Sequence, residues 1–263
     1  MAVAIDELLT DLAAETGSLD ALLAPLPADR WDLPTPAAGW AIRDQISHLA
    51  YFDGATALSV TDEQRFRAVV AADMARSTDF ADALVGDYRD MPAAELLTWF
   101  RAARAKLIDA FRGCDPSRRL PWYGSPMSVA SSITARLMET WAHGQDVADA
   151  LGVTRAPTAR LRHVAYLGVR TLPFSFTVHG LPVPDEPVRV ELTAPDGDRW
   201  TWGSGDTNRI TGSALDFCLV VTQRRNIADT GLVVAGPVAQ RWMSVAQAFA
   251  GPPAPGRQPE VTR

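Results

Sequence analysis

Over the first 150 residues of this chain, apolar side chains return every three or four positions, and that rhythm admits few folds. Ile5, Leu8, Leu9, Leu12, Leu19, Leu22 and Leu23 form one helical face, ended by Pro25 and Pro27. A second helix is predicted from near Gly39-Trp40, after the breakers Pro34 and Pro36. Its face includes Ile42, Ile46, Leu49 and Phe52. Thr61 and Gln64 have capping-box spacing, so a break and restart is expected there, continuing through Phe66, Val69, Val70 and Met74. A third helix opens near Pro92, runs through Leu96, Leu97, Phe100, Ala103, Leu107, Ile108 and Phe111, and stops at Gly113 and Pro116. The fourth spans roughly 127–151, with Ile133, Leu137, Gly144, Val147 and Leu151 on one stripe and Gly152 as its stop. Four long amphipathic helices with modest connections hide their stripes only against one another, which predicts a helical bundle. Each Leu, Ile or Phe buried there contributes ~1.5–3 kcal/mol before conformational entropy is subtracted.

The pattern changes after about residue 155. A further helix is expected over Thr158 to Leu172. Then "PVRVELTAPDGDRWTWGSG" alternates apolar and polar around Pro195-Asp196-Gly197-Asp198, a hairpin signature, with Trp200 and Trp202 on the return strand. "NRITGSALDFCLVVTQRR" reads as a short strand, a Ser213 cap and a helix. "GLVVAG" is a strand, and Pro237 to Gly251 a last helix. The expected fold class is α+β: a four-helix bundle over 1–155, a smaller α+β domain over 156–252, and a frayed tail over 253–263.

Composition narrows the function. The formal net charge of −6 is a poor start for binding nucleic acid or an anionic membrane. Cys114 and Cys218 are far apart and in no C-x-x-C pair, which fits reduced thiols. "MAVAIDELLTDLAAE" has acids where a signal peptide needs a basic start, and no run reaches the ~18 apolar residues of a membrane span. A soluble cytoplasmic protein is expected, acting on small molecules as a monomer or homodimer.

Within the fourth helix, "TARLMETWAHGQDVADALG" (134–152) carries Arg136, Glu139, His143 and Asp146 along one stripe. Glu139 and His143 are four apart, so one turn places both side chains on the same side. Metal ligation needs donors converging within ~2.0–2.2 Å of one point. A third donor must come from elsewhere. Of the other three histidines, His163 and His179 follow the bundle, whereas His48 sits mid-helix beside Ile46 and Leu49. The alternative is a solvated Glu/His pair worth ~0.2–0.5 kcal/mol. Spacing leaves both readings open.

"PTPAAGWAIRDQISHLAYFD" (34–53) and "ETWAHGQDVADALG" (139–152) resemble the DinB / mycothiol-dependent maleylpyruvate isomerase N-terminal family over roughly residues 5–152. The C-terminal "ITGSALDFCLVVTQRR" and "GPVAQRWMSVAQAFAGPP" resemble the small α+β domain that accompanies such bundles. The resemblance implies that His48, Glu139 and His143 ligate one divalent ion. The family favours Zn²⁺, and the ligand types also suit Ni²⁺ or Fe²⁺. Asp146 is then a candidate to orient His143, and Arg136 to pair with Glu139 or hold an anionic cofactor group. Neither cysteine is placed to act as nucleophile, so the resemblance implies mycothiol as the thiol, delivered to an electrophile by S-transfer or by addition, rotation and elimination. Arg224 and Arg225 in "TQRRN" are candidates for a basic catalytic residue from the second domain, suited to a carboxylate-bearing substrate. The alternatives are a non-catalytic metal-binding protein and a metal-dependent hydrolase using bound water. Trp31, Trp40, Trp99, Trp122 and Trp141 are expected to pack in the core or at bundle ends.

Overall fold

The computed structural model describes residues 4–77 and 80–259. Contacts divide the chain into two units between Arg155 and Ala156.

The first unit is helical. It contains α1 (Ile5–Leu23), a 3-10 turn at Ala28–Asp32, α2 (Ile42–Thr61), α3 (Glu63–Arg76), α4 (Phe80–Gly86), α5 (Ala93–Phe111), the two-residue strands β1 (Arg119–Leu120) and β2 (Met127–Ser128), and α6 (Val129–Leu151). The long helices make the bundle, with α2 against α5 and α6, and α1 against α6. Leu12, Leu19, Leu23, Ile46, Leu49, Leu96, Phe100, Leu107, Ile133, Leu137 and Val147 are fully enclosed between them. These are the periodic positions of the four stripes, so burial follows the pattern that predicted the helices.

The helix ends show where local chemistry overrode simple spacing. The restart after α2 is capped by Asp62, whose side chain accepts from the Arg65 N–H at 3.0 Å. Thr61 does not cap it, because its hydroxyl donates back to the Ala57 carbonyl at 2.8 Å. At the start of α6, Ser128 Oγ accepts from the Ser131 N–H at 3.1 Å. That helix ends at Gly152 in the left-handed region, φ 67°. The short α4 and the β1–β2 pair were not anticipated.

The second unit is α+β. It contains α7 (Leu161–Arg170), α8 (Leu172–Val178), β3 (Arg189–Thr193), β4 (Arg199–Trp202), β5 (Arg209–Ser213), α9 (Ala214–Val221), a 3-10 turn at Ile227–Asp229, β6 (Val233–Ala235) and α10 (Pro237–Val245). The sheet order is β4-β3-β5-β6. β3 and β4 form the expected antiparallel hairpin, with Val190 opposite Trp202. β3 pairs parallel with β5, and β5 antiparallel with β6. Ser213 caps α9 by accepting from the Asp216 N–H at 3.0 Å. The predicted helix over 158–172 is shorter, giving way at Thr171 to α8 with Pro173 in its first turn. The last helix stops at Val245, six residues before Gly251. No helix among the described residues is long and apolar enough to cross a membrane.

Candidate metal centre

The centre lies where α2 meets α6. His48 comes from the middle of α2, and Glu139 and His143 from successive turns of α6. One donor atom from each lies within 4.8 Å of the other two. Glu139 Oε2 is 3.1 Å from His143 Nε2 and 3.6 Å from His48 Nε2. The imidazole centroids are 4.5 Å apart. Donors held ~2.0–2.2 Å from one ion stand roughly 3–3.6 Å from one another in tetrahedral or octahedral arrangements. The two carboxylate separations, 3.1 and 3.6 Å, satisfy that.

The hydrogen-bond network determines which nitrogen of His143 carries a proton. The hydroxyl of Thr35 donates to the Trp40 carbonyl at 2.8 Å, using its one proton. Toward Gln45, whose Nε2 is 2.9 Å away, Thr35 is therefore the acceptor. The amide nitrogen of Gln45 faces Thr35, so its Oε1 faces His143 Nδ1 in a short hydrogen bond. An oxygen acceptor there places a proton on Nδ1, so that in the neutral form of the ring the lone pair is on Nε2. That lone pair is directed at the Glu139 carboxylate. Two acceptors 3.1 Å apart repel unless a positive centre lies between them, a proton or a metal ion.

In the metal-free protein a proton on His143 Nε2 would be donated to Glu139, and a metal ion would take its place. Burial pulls His48 down to about 4, with His143 adding to the shift, so its imidazole is neutral at neutral pH. Burial also pushes the Glu139 carboxyl up, but the His143 and His48 imidazoles outweigh it and hold the group well below its ordinary value. Metal ligation requires neutral imidazole and ionised carboxylate. His48 Nδ1 is buried and has no hydrogen-bond partner among the described residues.

Aromatic rings close two sides. Trp40 stacks on His143 with centroids 5.9 Å apart and planes 15° from parallel. Phe52 lies 4.6 Å from His48 and leads to Trp122 and Tyr123. Trp31 and Trp141 are core residues, whereas Trp40, Trp99 and Trp122 are half-buried. The hydroxyls of Tyr51 and Tyr123 both donate to the buried Asp73 of α3.

The rest of the polar stripe divides. Arg136 is buried, and its Nε donates to Asp53 Oδ1 at 3.1 Å. Arg104 of α5 donates to the same carboxylate at 2.7 Å through Nε and at 3.2 Å through Nη2. Arg136 thus pairs with Asp53 where pairing with Glu139 was one expectation, because Asp53 offers a buried carboxylate between the two guanidiniums. Asp146 is buried on α6. Arg224 and Arg225 follow α9 in the second unit. Cys218 is fully buried, and burial pushes its thiol well above the ordinary value, an inert arrangement.

Comparison with known proteins identifies the family. Residues 12–148 match the family described as the mycothiol maleylpyruvate isomerase N-terminal domain. The chain belongs to that family. Its match to the mycothiol maleylpyruvate isomerase N-terminal domain contains His48, Gln45, Arg136, Glu139, His143 and Asp146, and leaves out Arg224 and Arg225. An uncharacterised protein of Mycobacterium tuberculosis, present in two strains, is 51% identical over 250 residues, covering 95% of this chain and 97% of the relative. A crystal structure of the mycothiol-dependent maleylpyruvate isomerase aligns with a TM-score of 0.60 at 17% identity, covering 88% of this chain and 93% of that one. A histidine-to-alanine mutant of that isomerase aligns equally, over 89% and 97%. At 17% identity this likeness is one of fold.

Proposed function

We propose that this protein is a divalent-metal-dependent enzyme of the cytoplasm that activates a low-molecular-weight thiol, mycothiol, for S-transfer to a small electrophile or for its isomerisation. The observation that carries the reading is the convergence of His48, Glu139 and His143, whose donor atoms lie within 4.8 Å of one another. Zinc is the ion proposed, with Ni²⁺ and Fe²⁺ compatible with the donors. A divalent ion held by these three donors and open elsewhere would lower the pKa of a thiol and present it as thiolate near neutral pH.

The chain's own residues do the rest. His48 and His143 supply neutral donors, and Glu139 supplies the negative charge that favours a cation. Trp40 covers one face of His143 and Phe52 lies against His48, so part of the ligand shell is screened from water. Screening strengthens the attraction between the carboxylate and a cation. Arg224 and Arg225 are proposed to hold a carboxylate on the electrophile, and Asp146 to support His143 from within α6. Arg136 is proposed to act through its charge near the centre and not by ligating the thiol, since its Nε is committed to Asp53.

The test is turnover of a panel of electrophiles by the metal-loaded protein with mycothiol, with another thiol, and with none. The reading expects turnover only with a thiol, lost when the metal is stripped and restored on its return. Turnover with water alone would make the protein a hydrolase. Metal binding without turnover of any electrophile would leave a binding protein, and either result overturns the proposal.

A further inference from the structure

Gln45 and Thr35 have no part in the reaction proposed above, yet they determine the state of one of its ligands. We propose that Gln45 is a positioning residue that locks His143 in the only neutral tautomer able to bind a cation through Nε2, and that Thr35 locks Gln45. The proposal rests on reading His48, Glu139 and His143 as ligands.

A glutamine alone does not select a tautomer. Turned by 180° about its last bond, the amide would present NH₂ to Nδ1. Nδ1 would then accept, and the ring proton would move to Nε2, where it blocks ligation. Thr35 removes that freedom. Its hydroxyl and its own N–H both donate to the Trp40 carbonyl at 2.8 Å, so its oxygen has only acceptor capacity left for Gln45. The turned amide would set a carbonyl against that oxygen, acceptor to acceptor, unless the hydroxyl gave up its bond to the Trp40 carbonyl. Gln45 is wholly buried, so water cannot relieve the mismatch.

The segment that carries Thr35 is itself fixed. Pro34 and Ala41 form a β-bridge. Trp40, at the end of the same segment, stacks on the His143 ring and anchors its indole N–H on Asp82 at 2.6 Å. His143 is therefore held by its edge through Gln45 and by its face through Trp40, both governed by residues 34–41. Among the described residues His48 has no comparable partner for Nδ1. The two imidazoles are unequal: one arrives at the metal preset, and the other adapts.

The metal-free wild type, Gln45→Leu, Gln45→Glu and Thr35→Val are titrated with zinc against a chromophoric chelator. Circular dichroism reports the fold, and nitrogen NMR of the metal-free proteins reports the imidazole tautomers. Gln45→Leu is expected to weaken zinc binding ~10–100-fold, as loss of a group that orients a ligand does elsewhere, and to populate the Nε2–H form of His143. Gln45→Glu keeps an acceptor facing Nδ1, and should bind zinc at least as tightly as the wild type. Thr35→Val frees the amide to turn and should give a mixture of tautomers with a smaller loss of affinity. Gln45→Leu binding zinc as the wild type does, or Gln45→Glu binding as poorly as Gln45→Leu, overturns the proposal. Should Gln45→Leu not fold, Thr35→Val decides, and an unchanged Nδ1–H population in it is the contrary result. Should the wild type take no zinc, the ligand assignment falls, while the NMR still judges the lock.

Discussion

About one turn apart, α2 and α6 contribute to two three-residue clusters of opposite character, one of them joined by Arg104 of α5. Around Asp53, two guanidiniums donate to one carboxylate, and both of its oxygens are satisfied at 2.7–3.2 Å. Around Glu139, one carboxylate oxygen faces two imidazole nitrogens, at 3.1 and 3.6 Å. The first cluster satisfies its carboxylate within the protein, while Arg136 Nη2 stays buried without a hydrogen-bond partner among the described residues. The second, in the function proposed, is completed by a cation. Both have charged residues at helical spacing on an interior face, so what separates a structural knot from a metal centre is the balance of donors and acceptors.

This contrast can be broken at either end. The largest effect is expected from Asp53→Ala, which strands Arg104 and Arg136 in the core without their shared carboxylate. Removing one partner of a buried ion pair costs about 3–5 kcal/mol. Urea denaturation should show that loss, while the folded fraction keeps its metal. The matching change at the other cluster, Glu139→Gln, should behave in the opposite way. Its amide can donate to or accept from Nε2 of His143, so the metal-free protein should shift by no more than ~1 kcal/mol in either direction, while zinc affinity falls sharply. A loss of stability as large as that of Asp53→Ala would erase the distinction.

Acid should act selectively on the second cluster. Between pH 6.5 and about 4, His48 is protonated in the unfolded chain and neutral in the folded one. Unfolding then takes up a proton, so the metal-free protein loses stability as pH falls through that window. The slope from this one group is at most ~1.4 kcal/mol per pH unit. Glu139, held below its ordinary value, adds loss of the same sign at still lower pH. Equilibrium unfolding of wild type and His48→Ala across that range measures the term, and identical pH profiles would contradict it.

The long helices were legible because burial of a bundle core imposes a period of 3.6 on the sequence, and Leu12, Ile46, Phe100 and Leu137 display it. The pair Glu139 and His143 was legible for the same reason, since both lie on one helix. The meeting with His48 is a tertiary fact. It entered through resemblance and through the oddity of a histidine amid Ile46 and Leu49. Gln45 was within reach: it stands three residues before His48 on α2, yet nothing local shows that its amide crosses to α6. Asp53 and Arg104 were invisible as partners of Arg136, because the three residues come from three helices far apart in sequence. The short α4 has too few residues to establish a period.

The central claim is that these three side chains from two helices hold one divalent ion. Its most direct test is elemental analysis of the purified protein, wild type beside His48→Ala, Glu139→Gln and His143→Ala, with circular dichroism on each. Close to one zinc, nickel or iron per wild-type chain is expected, and little in any variant while the helical spectrum is preserved. A wild type without metal, or a His143→Ala protein that keeps the full complement, would contradict it.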